Sequence, residues 1–117
     1  MMWNYPTMAD GTKVPFRPSE RPRISPWMRA HILERHQAAP EDRPEWPTKS
    51  KFPAEWNADR IIEAVDLTLA DPGRPPARYG DKIRFERVVD GHVVRVQVRV
   101  DMEPPEIWNA YPVEREG

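Results

Sequence analysis

The chain has 117 residues, which is enough for one domain of ordinary size and too few for two independent hydrophobic cores. It contains no cysteine, which excludes disulfides and thiolate metal sites, and it has no apolar run long enough to span a membrane as a helix. The net charge of −1 gives no overall attraction to phosphate, so binding to nucleic acid would depend on local patches.

The first 25 residues are proline-rich and show no sustained apolar period. We therefore predict that residues 1–25 form an extended arm or linker, which Trp3, Tyr5 and Phe16 could anchor, and that residues 26–117 form the domain. Because the prolines are concentrated in the first half and predict a largely irregular N-terminal part, the hydrophobic core is expected to be small and to come from residue 52 onward.

Ser25 followed by Pro26 is a helix-start signal, because a serine oxygen can cap free N–H groups and proline is tolerated at the first helical position. This predicts a short helix over about residues 26–36. Pro40, Pro44 and Pro47 then exclude regular structure up to about residue 53. Lys49 lies in this predicted loop.

A second helix is predicted to begin after Asn57, which is a good capping residue. A buried stripe follows at helical spacing, and Asp71-Pro72-Gly73 ends the helix. The stripe consists of Ile61, Ile62, Val65 and Leu69.

Two β-rich runs, residues 82–89 and 92–100, flank Asp90-Gly91, the pair favoured by a two-residue type I′ turn. The sequence therefore predicts a β-hairpin with apolar pairs on one face and a charge pair on the other. The predicted register places Phe85 opposite Val96, Ile83 opposite Val98, and Glu86 opposite Arg95.

A last strand is predicted over residues 106–112, after Pro104-Pro105. Simple alternation would place Ile107, Asn109 and Tyr111 on one face of it. Helices followed by an antiparallel sheet predict an α+β fold.

His31 and His36 are two of the three histidines in the chain. Histidine suits general acid–base chemistry because its ordinary pKa lies near neutrality. An α-helix turns about 100° per residue, so these two side chains would lie about 140° apart and could share a site only if the helix ended between them. The alternative is that both are surface or helix-capping residues. Zinc binding is disfavoured, because His-x4-His without cysteine or a clear third ligand is a poor match to zinc spacing.

Other polar residues also allow two interpretations. Arg84, Arg95 and Arg99 alternate with apolar residues, which is typical of the polar face of a half-buried hairpin but would also suit a stripe that binds phosphates. Lys49 could stabilise the negative charge of a phosphoryl transition state, or simply be solvated. Trp108 could anchor a loop or stack on a base.

Four segments in this order resemble the bacterial EndoU nuclease domains of polymorphic and contact-dependent toxins. They cover roughly residues 29–113, about three quarters of the chain. The segments are His31-Ile32-Leu33-x-Arg35-His36, Lys49-Ser50-x-Phe52-Pro53 with Trp56 and a helix, the Asp90-Gly91 hairpin, and Ala110-Tyr111-Pro112.

The resemblance implies a barnase-, EndoU-, colicin- and RelE-like fold, with N-terminal helices on a sheet of about four antiparallel strands. It also implies metal-independent cleavage of RNA, often tRNA, to 2′,3′-cyclic phosphate ends without a cofactor. The domain would be the C-terminal part of a larger secreted toxin, would act in the cytoplasm of a target bacterium, and would be blocked by an immunity protein. No membrane partner is expected.

By the same resemblance, four residues would be catalytic: His31 and His36 as the acid–base pair, Lys49 on the phosphate and Tyr111 beside the ribose and base. Substrate binding would fall to Ser50, Asn109, Arg95 and Arg99. Asn109 stands where the family usually has threonine, and an amide can still donate and accept hydrogen bonds.

Overall fold

The computed structural model describes residues 5–37 and 51–113 and has an α+β fold. Two helices precede a four-stranded antiparallel sheet in the chain and pack on it, so the predicted fold class is confirmed. The strands lie in the sheet in chain order. The elements are α1 (Pro26–His36), α2 (Ala58–Ala70), β1 (Ala77–Tyr79), β2 (Lys82–Val89), β3 (His92–Arg99) and β4 (Glu106–Val113).

Both predicted helix caps are present. The Ser25 hydroxyl accepts a hydrogen bond from the Met28 N–H at 3.0 Å, and the Asn57 side-chain oxygen accepts one from the Arg60 N–H at 2.8 Å. Each bond satisfies an N–H group that the helix itself leaves free. Helix α1 continues without a break through His36, which fixes the relative directions of its two histidines.

The hairpin forms as predicted. Asp90 and Gly91 both have positive φ, 50° and 81°, as a type I′ turn requires. The register pairs Phe85 with Val96, Ile83 with Val98 and Glu86 with Arg95. The apolar pairs face the helices, and the charge pair lies on the other face.

Strand β4 departs from simple alternation. Gln97 pairs with Asn109 and Val98 pairs with Ile107, so Trp108 is an extra residue in the strand. Such a bulge shifts the side chains before it to the other face. The prediction that Ile107 shares a face with Asn109 and Tyr111 is therefore wrong, and Ile107 is buried in the core instead.

The hydrophobic core is larger than predicted. Met8, Val14 and Phe16 are buried, and the Phe16 ring stacks on Phe85 with 5.7 Å between ring centroids. The prediction that the core comes from residue 52 onward is wrong, because it missed this early segment and the buried face of α1. Met8, Val14 and Phe16 thus pack this early segment against the rest of the core.

Strand β1 was not located from the sequence. It spans only Ala77–Tyr79, directly after Pro75-Pro76, and it pairs with β2 through a turn in which Gly80 has a φ of 64°. Three residues are too few to show a period of two. Within the described ranges, no helix is long and apolar enough to cross a membrane.

Candidate functional site

The sheet has two chemically different faces. One packs on the helices, and the other, here called the polar face, carries most of the charged strand residues. Its side chains follow from the alternation of each strand and from the observed register. They are Ala77 and Tyr79 on β1, Lys82, Arg84, Glu86 and Val88 on β2, Val93, Arg95, Gln97 and Arg99 on β3, and Glu106, Asn109, Tyr111 and Val113 on β4. The ring of the bulge residue Trp108 also lies on this face, beside Lys82 and Arg99.

Four residues form a row of contacts that runs from the last turn of α1 through β4 and β3 to β2. The imidazole of His36 lies beside the Tyr111 ring, with 5.6 Å between ring centroids. The Arg95 guanidinium carbon lies 5.8 Å from the same Tyr111 ring centroid, and the Arg95 Nε donates to a Glu86 carboxylate oxygen at 2.5 Å. We call His36, Tyr111, Arg95 and Glu86 the His36 cluster.

The chain fixes His36 through the end of α1. The Lys51 ammonium donates to the Arg35 carbonyl at 2.7 Å, and the Phe52 N–H donates to the His36 carbonyl at 2.8 Å. These bonds satisfy carbonyl groups that the last helical turn leaves free. His36 itself is 4% exposed, so its side chain is held in one environment.

Within this cluster, Arg95 and Glu86 each stabilise the charged form of the other. Burial alone would raise the pKa of Glu86, but hydrogen bonds from Arg95 and Arg74 outweigh burial and hold that pKa below its ordinary value. Burial would likewise lower the pKa of Arg95, but hydrogen bonding to the Tyr111 hydroxyl and to Glu86 raises it overall. Arg95 is therefore a permanent cation beside Tyr111.

The lowered pKa of Glu86 predicts a pH-dependent contribution to folding. A carboxyl group whose pKa is lower in the folded state stabilises the fold above its unfolded pKa, ordinarily 4.5, and this contribution is lost as the pH falls toward the folded value. Glu86→Gln is expected to cost roughly 1–3 kcal/mol at pH 7, because it leaves Arg95 without its anion. Urea unfolding of both chains at pH 7 and pH 3.5 measures the difference.

Glu63→Gln is the matched control, since Glu63 pairs with Arg60 at an exposed position. Its effect should stay below about 0.5 kcal/mol at both pH values. A cost of Glu86→Gln that is the same at pH 7 and pH 3.5 would contradict the ionised pair.

His31 does not join this cluster. Its ring stacks on Trp27 at 5.3 Å between centroids, with only 12° between the ring planes. Because α1 does not end between the two histidines, His31 and His36 leave the helix in directions about 140° apart. A shared site would require the helix to end between His31 and His36, and in the described residues it does not.

The other residues implied by the resemblance fall in different places. Lys49 and Ser50 lie outside the described residues. Asn109 shares the polar face with Tyr111, and its side-chain oxygen accepts a hydrogen bond from the Ala110 N–H at 2.9 Å. Asn109 is therefore near the cluster, with one of its acceptor positions already used.

Arg99 lies four residues from Arg95 on β3, about 13 Å away along the strand. One of its guanidinium nitrogens contacts an Asp101 carboxylate oxygen at 2.6 Å, and its guanidinium carbon lies 4.9 Å from the Trp108 ring centroid. Its charge is therefore compensated locally, and Arg99 is not part of the His36 cluster.

The sequence analysis placed Arg84 in a possible phosphate-binding stripe, but it missed two residues beside the cluster, Arg74 and Tyr79. Arg74, Tyr79 and Arg84 line a pocket of about 150 Å³ together with Glu86 and Arg95. Tyr79 belongs to the strand that was not located, and Arg74 belongs to the loop before it. The alternation of β2 puts Arg84 on the same face as Glu86, whereas no periodic pattern in the sequence pointed to Arg74 or Tyr79.

Among the described residues, no group of three or more histidine, aspartate or glutamate side chains is arranged to hold a metal ion. Comparison of the chain with protein-family models, curated proteins and solved structures found no match.

Proposed function

We propose that the chain is a metal-independent RNA endonuclease that leaves 2′,3′-cyclic phosphate ends. The observation that supports this most is that His36 and Arg95, from two other elements, both lie beside the ring of Tyr111. An imidazole can accept a proton, a phenol can donate one, and a guanidinium can bind phosphate oxygens. Cleavage of RNA next to its own 2′-hydroxyl uses these three operations.

In the proposed reaction, neutral His36 accepts the proton of the 2′-hydroxyl as that oxygen bonds to the adjacent phosphorus. The bond from phosphorus to the 5′-oxygen breaks, and Tyr111 donates its hydroxyl proton to the departing oxygen. Arg95 balances the negative charge that develops on the non-bridging oxygens, where a preorganised cation is most effective. By the resemblance, Lys49 would act on the same charge.

The role of Tyr111 can be tested with two leaving groups. Tyr111→Phe removes the proton donor and keeps the ring beside His36. We expect it to slow cleavage of a ribodinucleotide by about 100-fold, which is typical of a lost proton-transfer group. A nucleoside 3′-(4-nitrophenyl phosphate) releases a stable anion that needs no proton, so its rate should change by less than about threefold. Initial rates in EDTA measure both.

Equal slowing on the two substrates would contradict proton donation by Tyr111. Failure of the unaltered, folded chain to cleave either substrate would contradict the nuclease proposal as a whole.

A second candidate is a non-catalytic RNA-binding module on the same fold. The position of His31 favours it, because the stacking on Trp27 leaves the cluster with one histidine among the described residues. This candidate predicts binding to RNA whose 2′-hydroxyls are methylated and no cleavage of the unmodified strand. The nuclease proposal predicts both binding and cleavage.

The wider biological proposal is supported by the resemblance in motif order. In it, the domain is the toxic C-terminal part of a larger secreted protein. It cuts tRNA or another structured RNA in the cytoplasm of a target bacterium, and an immunity protein blocks it. The net charge of −1 agrees with recognition of one structured RNA in preference to RNA in general.

A further inference from the structure

A small pocket on the polar face adjoins the His36 cluster and is more basic than the chain as a whole. It has a volume of about 150 Å³ and is lined by Arg74, Pro75, Ala77, Tyr79, Arg84, Glu86 and Arg95. Three guanidinium groups and one carboxylate give this lining a formal charge of +2 in a chain whose net charge is −1. The pocket is therefore a local patch that attracts anions.

The arginines of this pocket are not equivalent. Arg95 and Arg74 both contact Glu86, with nitrogen–oxygen distances of 2.5 Å and 3.2 Å. Arg84 makes no ion pair within the described part of the chain, and its Nε is buried without a hydrogen-bond partner there. Buried donors without an acceptor are rare in folded proteins and call for an explanation.

Tyr79 holds the Arg84 guanidinium in place. The guanidinium carbon lies 4.1 Å from the Tyr79 ring centroid, a cation–π contact that leaves the two terminal nitrogens available for hydrogen bonds. The Tyr79 side chain is 55% exposed, so its ring also offers an aromatic surface at the rim. A planar guanidinium matches two phosphate oxygens, and an exposed ring suits a base.

We propose that Arg84, Arg74 and Tyr79 form a binding subsite for a phosphate of the RNA strand next to the one cleaved. The inference rests on the proposed function, since it places the scissile phosphate at the His36 cluster. Arg95 lines the pocket and also belongs to the His36 cluster. The pocket and the cluster are close together, because β2 and β4 are only two strand spacings of about 4.8 Å apart. The phosphate accepts hydrogen bonds from the terminal guanidinium nitrogens of Arg84, and Tyr79 stacks on the adjoining base.

The first experiment measures binding without cleavage, using a short labelled RNA with 2′-O-methyl groups over a range of salt concentrations. Arg84→Gln is expected to weaken binding about fivefold to tenfold at low salt and to reduce the slope of log Kd against log salt by about one. Arg74→Gln should act in the same direction. Because Arg74 is at an exposed position, its variant keeps the test valid if Arg84→Gln unfolds.

Arg78→Gln is the matched control. Arg78 lies on β1 between two residues of the polar face and pairs with Ile83, so its side chain points to the opposite side. The same loss of charge there should change Kd by less than about twofold. If Arg78→Gln and Arg84→Gln weaken RNA binding equally, the effect comes from the loss of positive charge at any position, and the subsite proposal is overturned.

The second experiment identifies the ligand by observing the Arg84 guanidinium directly. Inorganic phosphate, a nucleoside 3′-monophosphate and the methylated RNA are each titrated while the Arg84 Nε–H resonance is followed by NMR. A shift of this resonance with all three, tightest with RNA, supports a subsite for the strand. Saturation by free phosphate as tight as by RNA would identify a site for the small anion instead, and no shift with any ligand would overturn the proposal.

The two proposals fail in different ways. If Arg84→Gln weakens binding while the unaltered chain cleaves no RNA, the subsite stands and the nuclease proposal fails. If the chain cleaves RNA and Arg84→Gln binds it normally, the nuclease proposal stands and the subsite fails.

Discussion

Replacement of His36 by glutamine is expected to slow RNA cleavage by about 10²- to 10⁴-fold, the usual effect of losing a proton-transfer group. Glutamine retains a polar side chain of similar size at this buried position, but it cannot accept the 2′-hydroxyl proton. Cleavage of a defined oligoribonucleotide in EDTA measures the rate, and thermal unfolding of the same sample measures how much of the variant is folded.

His31→Gln is the matched control, with the same change five residues earlier on the same helix. Its ring stacks on Trp27 and leaves α1 in another direction, so its rate should stay within about threefold of the unaltered chain. Equal losses at both positions would contradict the geometry and favour the histidine pair that the family resemblance implies. A His36→Gln variant that is folded and fully active would remove His36 from the reaction.

Replacement of Phe85 by alanine is expected to lower the free energy of unfolding by about 3–5 kcal/mol. Phe85 is 1% exposed at the centre of the sheet, and its ring stacks on Phe16 from the early segment. The loss combines the transfer free energy of the ring with the cavity that it leaves. Because domains of this size are stable by only about 5–15 kcal/mol, urea unfolding will show a large shift of the midpoint.

Val88→Ala provides the comparison within the same strand. Val88 is 49% exposed on the polar face, so its truncation should cost less than about 0.5 kcal/mol. A loss below about 1 kcal/mol for Phe85→Ala would contradict the packing of residues 5–25 against the sheet.

Local signals predicted the local structure. Ser25, Asn57 and Asp90-Gly91 act through hydrogen bonds or backbone angles within a few residues, and each begins or joins an element where the sequence placed it. Long-range packing was not accessible in this way. Phe16 becomes a core residue only because β2 brings Phe85 beside it, which no nearby residue indicates.

The candidate site was predicted in part. Helical geometry already showed that His31 and His36 could meet only at a helix end, and the structure continues α1 through His36. Tyr111 and Asn109 share a face as predicted, although the bulge at Trp108 moved Ile107 to the other face. The pocket beside the cluster depends on β1, and a strand of three residues gave no periodic signal from which Tyr79 could be placed.

The central claim is that this chain cleaves RNA by transfer of the phosphate to the 2′-oxygen, with His36 as the base. The most direct measurement is mass spectrometry of the fragments that the purified chain produces from a defined RNA in EDTA. The account predicts 2′,3′-cyclic phosphate ends with the unaltered chain and intact RNA with His36→Gln. Intact RNA with the unaltered, folded chain, or fragments that end in a 3′-hydroxyl and begin with a 5′-phosphate, would contradict it.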